Sequence, residues 1–116
     1  MTVEQASEFL RRKSNDCKVA IEIENLSSGP MIVLCLVKEN AVEEWKQLMG
    51  PENCSVARKS APSSLRALYG DSEDDMKNAV YGTQKQDDVE HDLHFFFPNS
   101  KKISFEIHYP FLHFFK

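Results

Sequence analysis

Long apolar runs are the first thing this sequence lacks. Nothing in its 116 residues approaches the roughly 20 consecutive apolar residues that span a bilayer, so no membrane partner is expected. No signal-type pattern is visible either, so a leader is not expected: Met1 to Arg12 is polar and amphipathic, with no apolar centre. Positive charge is in deficit. The net charge of −4 argues against binding nucleic acid through its phosphates. Cysteine is sparse: Cys17, Cys35 and Cys54 are odd in number and have no metal-ligand spacing. Reduced, structural thiols in an intracellular protein are the expectation. The few glycines form no phosphate-cradling loop of the P-loop kind. Internal repeats and low-complexity tracts are absent as well.

What remains is a chain of the right length for one small domain with an apolar core. Thr2 and Gln5 have capping-box spacing, and Val3, Ala6, Phe9 and Leu10 then share one helical face. Lys18–Asn25 reads two ways: Val19, Ile21 and Ile23 alternate like a strand, whereas Val19, Ile23 and Leu26 fit a helix. Ser27-Ser28-Gly29-Pro30 is a turn. Met31–Val37 is continuously apolar, the pattern of a strand buried on both faces. Asn40 is placed to cap a helix whose buried stripe is Ala41, Val42, Trp45, Leu48 and Met49, with Gly50-Pro51 as its stop.

Glu52–Ser64 reads as a loop with short helical pieces, and Asp71–Asp75 as a solvated acidic loop. Asn78–Tyr81 is a short strand. Asp87, Asp88 and Glu90 suit the start of a last helix, whose stripe is Val89, Leu93 and Phe96. His91 and His94 lie about one turn apart on it, but no third ligand is in view, and exposed helix histidines are expected there rather than a metal. After Pro98 the character changes. Ile103, Phe105, Ile107 and Tyr109 alternate, and Pro110–Phe115 is strongly apolar and would be uncomfortable in water.

Several short motifs stand in a definite order. They are Ser28-Gly29-Pro30, Asn40-Ala41-Val42-Glu43-Glu44-Trp45, Leu48-Met49-Gly50-Pro51, Ala57-Arg58, Ser64-Leu65-Arg66-Ala67-Leu68-Tyr69-Gly70, Asn78-Ala79-Val80-Tyr81-Gly82 and Phe95-Phe96-Phe97-Pro98. As a set they resemble the nucleoside diphosphate kinase family, especially the divergent domains of its thioredoxin-domain-containing and ciliary members. The resemblance runs from about Thr2 to Pro98. It divides the chain into a partial family domain, residues 1–98, and a divergent tail, 99–116.

The resemblance implies an α+β, ferredoxin-like fold: an antiparallel sheet with helices packed on it, incomplete here at the N-terminus. The family's first strand, first long helix and second strand precede the position of Thr2. That first strand is central, between the counterparts of Met31–Val37 and Asn78–Tyr81. Its loss would leave backbone groups on both unpaired. Either the chain is a fragment that folds poorly alone, or the tail, Ile103–Tyr109, fills part of the vacated place.

The resemblance also places the site. Where active members carry a nucleophilic histidine before the glycine of Asn-Ala-Val-His-Gly, this chain has Tyr81. A phenol with a pKa near ~10 stays protonated at neutral pH, while an imidazole is largely neutral and nucleophilic. By the same comparison Arg66 matches an arginine on nucleotide phosphate and Asn78 an asparagine near the sugar. Lys46 stands for a usual arginine, without the bidentate fork. Glu52 replaces a threonine with a carboxylate that repels phosphate. Asp92 matches a glutamate that orients the histidine, and Lys18 falls near the base-stacking position.

The implied function is a kinase-like domain without catalysis, acting as an interaction or assembly module, with nucleotide, protein partners or an oligomer as its associates. The alternative is an enzyme that moves phosphate between nucleoside triphosphates and diphosphates with magnesium-nucleotide, through another nucleophile. The implied location is cytoplasmic, with cilium or flagellum for the divergent group.

Overall fold

The helical start is capped as its spacing predicts. In a computed structural model that describes residues 1–13, 17–99 and, for the backbone, 110–115, Thr2 and Gln5 close a capping box. The Gln5 amide donates to Thr2 Oγ1 at 3.1 Å, and the Thr2 amide to Gln5 Oε1 at 2.9 Å. Helix α1 (Val3–Phe9) buries Ala6 and Phe9, and Leu10 at its C-cap is buried too, but Val3 is exposed. The second segment is a helix, α2 (Cys17–Ser27), which buries Val19 and Leu26. Lys13 reaches Glu22 of α2 at 2.8 Å. These two helices belong to one compact unit, Met1–Ile32; the rest of the described chain, Val33–Phe115, forms a second.

The second unit carries the sheet. Strand β1 (Ile32–Val37), all but its first residue in this unit, begins it, followed by α3 (Ala41–Met49), α4 (Cys54–Ser60) and α5 (Leu65–Tyr69). Strand β2 (Val80–Gly82) comes next, then a 3-10 turn (Gln86–Asp88) leading into α6 (Val89–Phe96), and last β3 (Pro110–Phe115). The sheet order is β1-β3-β2. Strand β3 runs antiparallel to β2 in the register Val80↔Phe115, Tyr81↔Phe114 and Gly82↔His113. The fold is α+β with an incomplete sheet, as expected. The place between β1 and β2 is filled by Pro110–Phe115; Ile103–Tyr109, where alternation pointed to a strand, lies outside the described residues.

The core of this unit is Ala41, Val42, Trp45, Met49, Val80 and Val89. It is the α3 stripe read from the sequence, closed by β2 and α6, with Leu48 left exposed. Two expectations need correction. Strand β1 is not buried on both faces: Ile32 is 63% exposed, and Leu34 and Val37 are exposed as well. Exposed and half-buried positions alternate from Ile32 to Cys35, so apolar composition alone did not secure a cover for both faces. Nor does Asn40 cap α3. Its φ of 53° is left-handed and its side chain makes no capping bond. An N-cap needs extended backbone to aim its oxygen at the free amides. The first turn of α3 is tied instead by the ion pair of Lys38 with Glu44.

Gly50 ends α3, as read. Its φ is +80°, and a Cβ there would fall 2.4 Å from Ser64 Oγ and 2.6 Å from Ser64 Cβ. Ser64 cannot retreat, because it is buried and its hydroxyl caps α5 by accepting from the Ala67 amide. The acidic loop is ordered by its own side chains. Asp71 Oδ1 accepts from the Glu73 and Asp74 amides at 2.7 and 3.0 Å, which hold its carboxyl below the usual range. Arg58 on α4 pins the loop through the Gly70 and Asp71 carbonyls at 3.0 and 2.8 Å.

Candidate functional site

The segment that carries Tyr81 enters β2 through a strained turn. The Val80 amide donates to the Asn78 carbonyl at 2.7 Å, across Ala79, whose φ is +66°. A bond that closes over one residue at positive φ is the rarer, strained γ-turn. For a residue with a Cβ such a conformation costs on the order of 1–2 kcal/mol. Ala79→Gly is therefore expected to raise stability by roughly 0.5 kcal/mol, relief of strain outweighing glycine's unfolded-state entropy. Denaturant midpoints check this; a lower midpoint for the variant would mean that the turn is not strained.

Arg66, on α5, is 5% exposed. It donates from one terminal nitrogen to the Gly50 carbonyl at 2.9 Å and from the other to the Val80 carbonyl at 3.1 Å. The guanidinium thus joins the end of α3 to the residue before Tyr81. Asn78 donates from Nδ2 to the Glu52 carbonyl at 2.9 Å. So Arg66, Asn78 and Glu52 lie around the start of β2. Lys46 is placed on α3, where its ammonium lies 3.6 Å from the Glu43 carboxylate and is partly exposed. Lys18 is exposed on α2.

Asp92 is on α6 and only 6% exposed. Thr83, just after β2 and fully buried, donates from Oγ1 to Asp92 Oδ2 at 2.8 Å. His91 Nδ1 lies 3.1 Å from Asp92 Oδ1. Burial pushes the Asp92 carboxyl above its usual range, against the downward pull of the hydrogen bonds from His91 and Thr83. A carboxyl raised in the folded state stabilises fully at pH values below its unfolded pKa. That contribution is lost as pH rises through the folded pKa. Asp92→Asn keeps an acceptor for Thr83 and does not ionise, so its stability relative to wild type should rise with pH from the usual carboxylate range upward. Denaturation at a series of pH values checks this; a constant difference would refute it.

The sequence reading missed Thr83 and the His91–Asp92 contact. Thr83 has no spacing signal, because the turn between β2 and α6 brings it to Asp92; His91 and Asp92 are chain neighbours, and adjacency on a helix does not announce a side-chain contact. Arg58 stood in a recognised motif, but its loop-pinning role depends on where residues 70–71 lie. Cys54, buried at the start of α4, keeps a neutral thiol: burial raises it, beyond what the nearby Arg58 charge offsets. Among the described residues no helix is long and apolar enough to cross a membrane.

Comparison with known proteins gives this arrangement a family context. A family model described as nucleoside diphosphate kinase matches residues 1–102. Thioredoxin domain-containing protein 6 of Xenopus laevis is 35% identical over 98 residues, 84% of this chain and 16% of its own. Nucleoside diphosphate kinase homolog 5 of Mus musculus is 41% identical over 73 residues, 63% of this chain and 34% of its own. The chain thus spans a minor part of these relatives. Among solved structures, the Aquifex aeolicus nucleoside diphosphate kinase in an orthorhombic crystal form superposes with a TM-score of 0.69. It is 28% identical, with 84% of this chain and 67% of that one covered.

Proposed function

The chain belongs to the nucleoside diphosphate kinase family, and we propose that it serves there as an interaction or assembly module that does not transfer phosphate. The observation that carries this reading is Tyr81. The residue at the position of the family's nucleophile is a phenol on β2, in register with Phe114 of β3. A protonated phenol is a weak nucleophile at neutral pH, and its phosphate ester is a poorer donor than a phosphohistidine.

The surrounding residues do not fit a nucleotide phosphate either. Both terminal nitrogens of Arg66 are bound to backbone carbonyls. The Asn78 amide is bound to Glu52, and Lys46 faces Glu43. The Glu52 side chain brings negative charge to the same place. The matched stretch is a small part of longer relatives, among them thioredoxin domain-containing proteins, which suits a module within a larger assembly. A location in the cytoplasm or a cilium goes with this reading.

One observation favours the competing reading, a kinase working on magnesium-nucleotide. Arg66 and Asn78 are retained and adjoin β2. Transfer of labelled phosphate from ATP to GDP separates the two. No transfer above a heat-killed control is expected for the wild type, and none for Tyr81→His, because the imidazole alone does not release Arg66 and Asn78. Transfer by the wild type would establish the enzyme. A phosphohistidine in Tyr81→His would show an intact pocket. Magnesium-ADP is expected to leave the melting temperature unchanged, since only a ligand bound by the folded state raises it.

A further inference from the structure

The sheet holds an interaction site of its own. Its middle strand, β3, has both neighbours far away in sequence: β1 and β2 lie within residues 32–82, and β3 is residues 110–115. Both neighbours thus come from a stretch of chain that does not include it. We propose that the slot between β1 and β2 is a strand-exchange site, and that its second occupant is Pro110–Phe115 of another copy of this chain.

Four features support exchange. On the β2 side the hold is short, three cross-strand pairs from Val80↔Phe115 to Gly82↔His113. Helix α6 ends at Phe96, so residues 97–109 join it to β3, a reach of up to roughly 40 Å when extended. The strand itself, Pro-Phe-Leu-His-Phe-Phe, has no Asp, Glu, Lys or Arg. Out of the slot this uncharged segment would lose its strand partners, and β1 and β2 would each show an unpaired edge. A chain whose strand has left therefore needs a replacement. Within the same unit, β1 presents exposed Leu34 and Val37.

The same six residues of a second copy are the occupant that best reproduces the register. An exchanged pair of strands makes the contacts of two unexchanged ones, so the contact energies nearly cancel. Protein concentration then sets the balance between single chains and the exchanged dimer.

The test mixes two full-length single variants, Tyr81→Cys and Phe114→Cys, both carrying Cys17→Ser and Cys35→Ser and distinguished by tags. These positions face each other in the β2–β3 register. Partners directly opposite in an antiparallel pair approach closely enough for a short thiol cross-linker. A heterodimer cross-linked between the variants, increasing with protein concentration, is expected, because Phe114→Cys of one copy then lies opposite Tyr81→Cys of the other.

The double variant in one chain is the companion measurement. Cross-linking within single chains, with no heterodimer from the mixture at any concentration, would overturn exchange. Failure to cross-link in either experiment would overturn occupancy of the slot by β3. Gly82→Cys with His113→Cys repeats both measurements at the next pair, should the first variants fail to fold. Neither outcome depends on nucleotide, so this proposal and the loss of phosphate transfer stand or fall separately.

Discussion

Arg66→Met is expected to cost about 3 kcal/mol of stability or more, two charge-assisted hydrogen bonds being lost at once. The size follows from what each bond holds. One terminal nitrogen satisfies the Gly50 carbonyl at the end of α3, and the other satisfies the Val80 carbonyl in β2. The methionine fills most of the volume but donates nothing, so two acceptors lose their partner. A buried acceptor left unmatched carries its full desolvation cost. Arg66→Lys should not restore stability, because one ammonium lacks the planar fork that serves two separate carbonyls. Urea midpoints without nucleotide are the measurement. An unchanged midpoint would mean that the arginine is not part of the frame, and its retention would then speak for phosphate binding.

Gly70→Ala is the second large effect, with an expected loss of about 3 kcal/mol from overpacking. Backbone conformation is not the cause: Gly70 has φ −64° and ψ 154°, which any residue adopts. Space is the cause. A Cβ would sit 2.2 Å from Cys54 Sγ, 3.0 Å from Cys54 Cβ and 2.5 Å from the Arg66 carbonyl oxygen. Cys54 is fully buried at the start of α4, and the Arg66 oxygen is backbone accepting from the Gly70 amide at 3.1 Å. Neither moves cheaply. Adding Cys54→Ala removes the sulfur but leaves the carbonyl, so it should recover only part of the loss. Full recovery would show that the sulfur is the whole obstacle. No loss in the single variant would show that α4 and α5 are less closely fitted than this.

Local signals were legible and partner-dependent ones were not. Thr2 and Gln5 announce a capping box because both halves lie within one turn. The stripe Ala41, Val42, Trp45 and Met49 announces a buried helix face because burial there repeats with the helix itself. The burial of Met31–Val37 is a different matter. It depends on what packs over the strand, and β1 leaves Ile32, Leu34 and Val37 exposed. Asn40 has the right residue type for a cap but the wrong backbone, which composition does not reveal. In the tail, alternation drew attention to Ile103–Tyr109. The described strand is the neighbouring Pro110–Phe115, whose apolar residues, broken only by His113, have no period to read. At the candidate site, the resemblance matched Arg66 to a phosphate contact and Asn78 to a sugar contact, and both side chains adjoin the start of β2. It did not show that their donors are engaged by Gly50, Val80 and Glu52, since an arginine that holds carbonyls and one that holds phosphate are written with the same letter.

The place of β3 also has a consequence in time. Residues 38–109 must emerge from the ribosome after β1 before the strand that pairs with it exists, on the order of several seconds of synthesis. Through that interval α3 can form locally, but the sheet cannot. Contacts that close over so long a stretch of chain are late and slow compared with those inside a helix. The nascent chain therefore passes through a stage with helices formed and two strands waiting, and this stage, more than the finished fold, is where a holdase chaperone or a misassembled neighbour would find it.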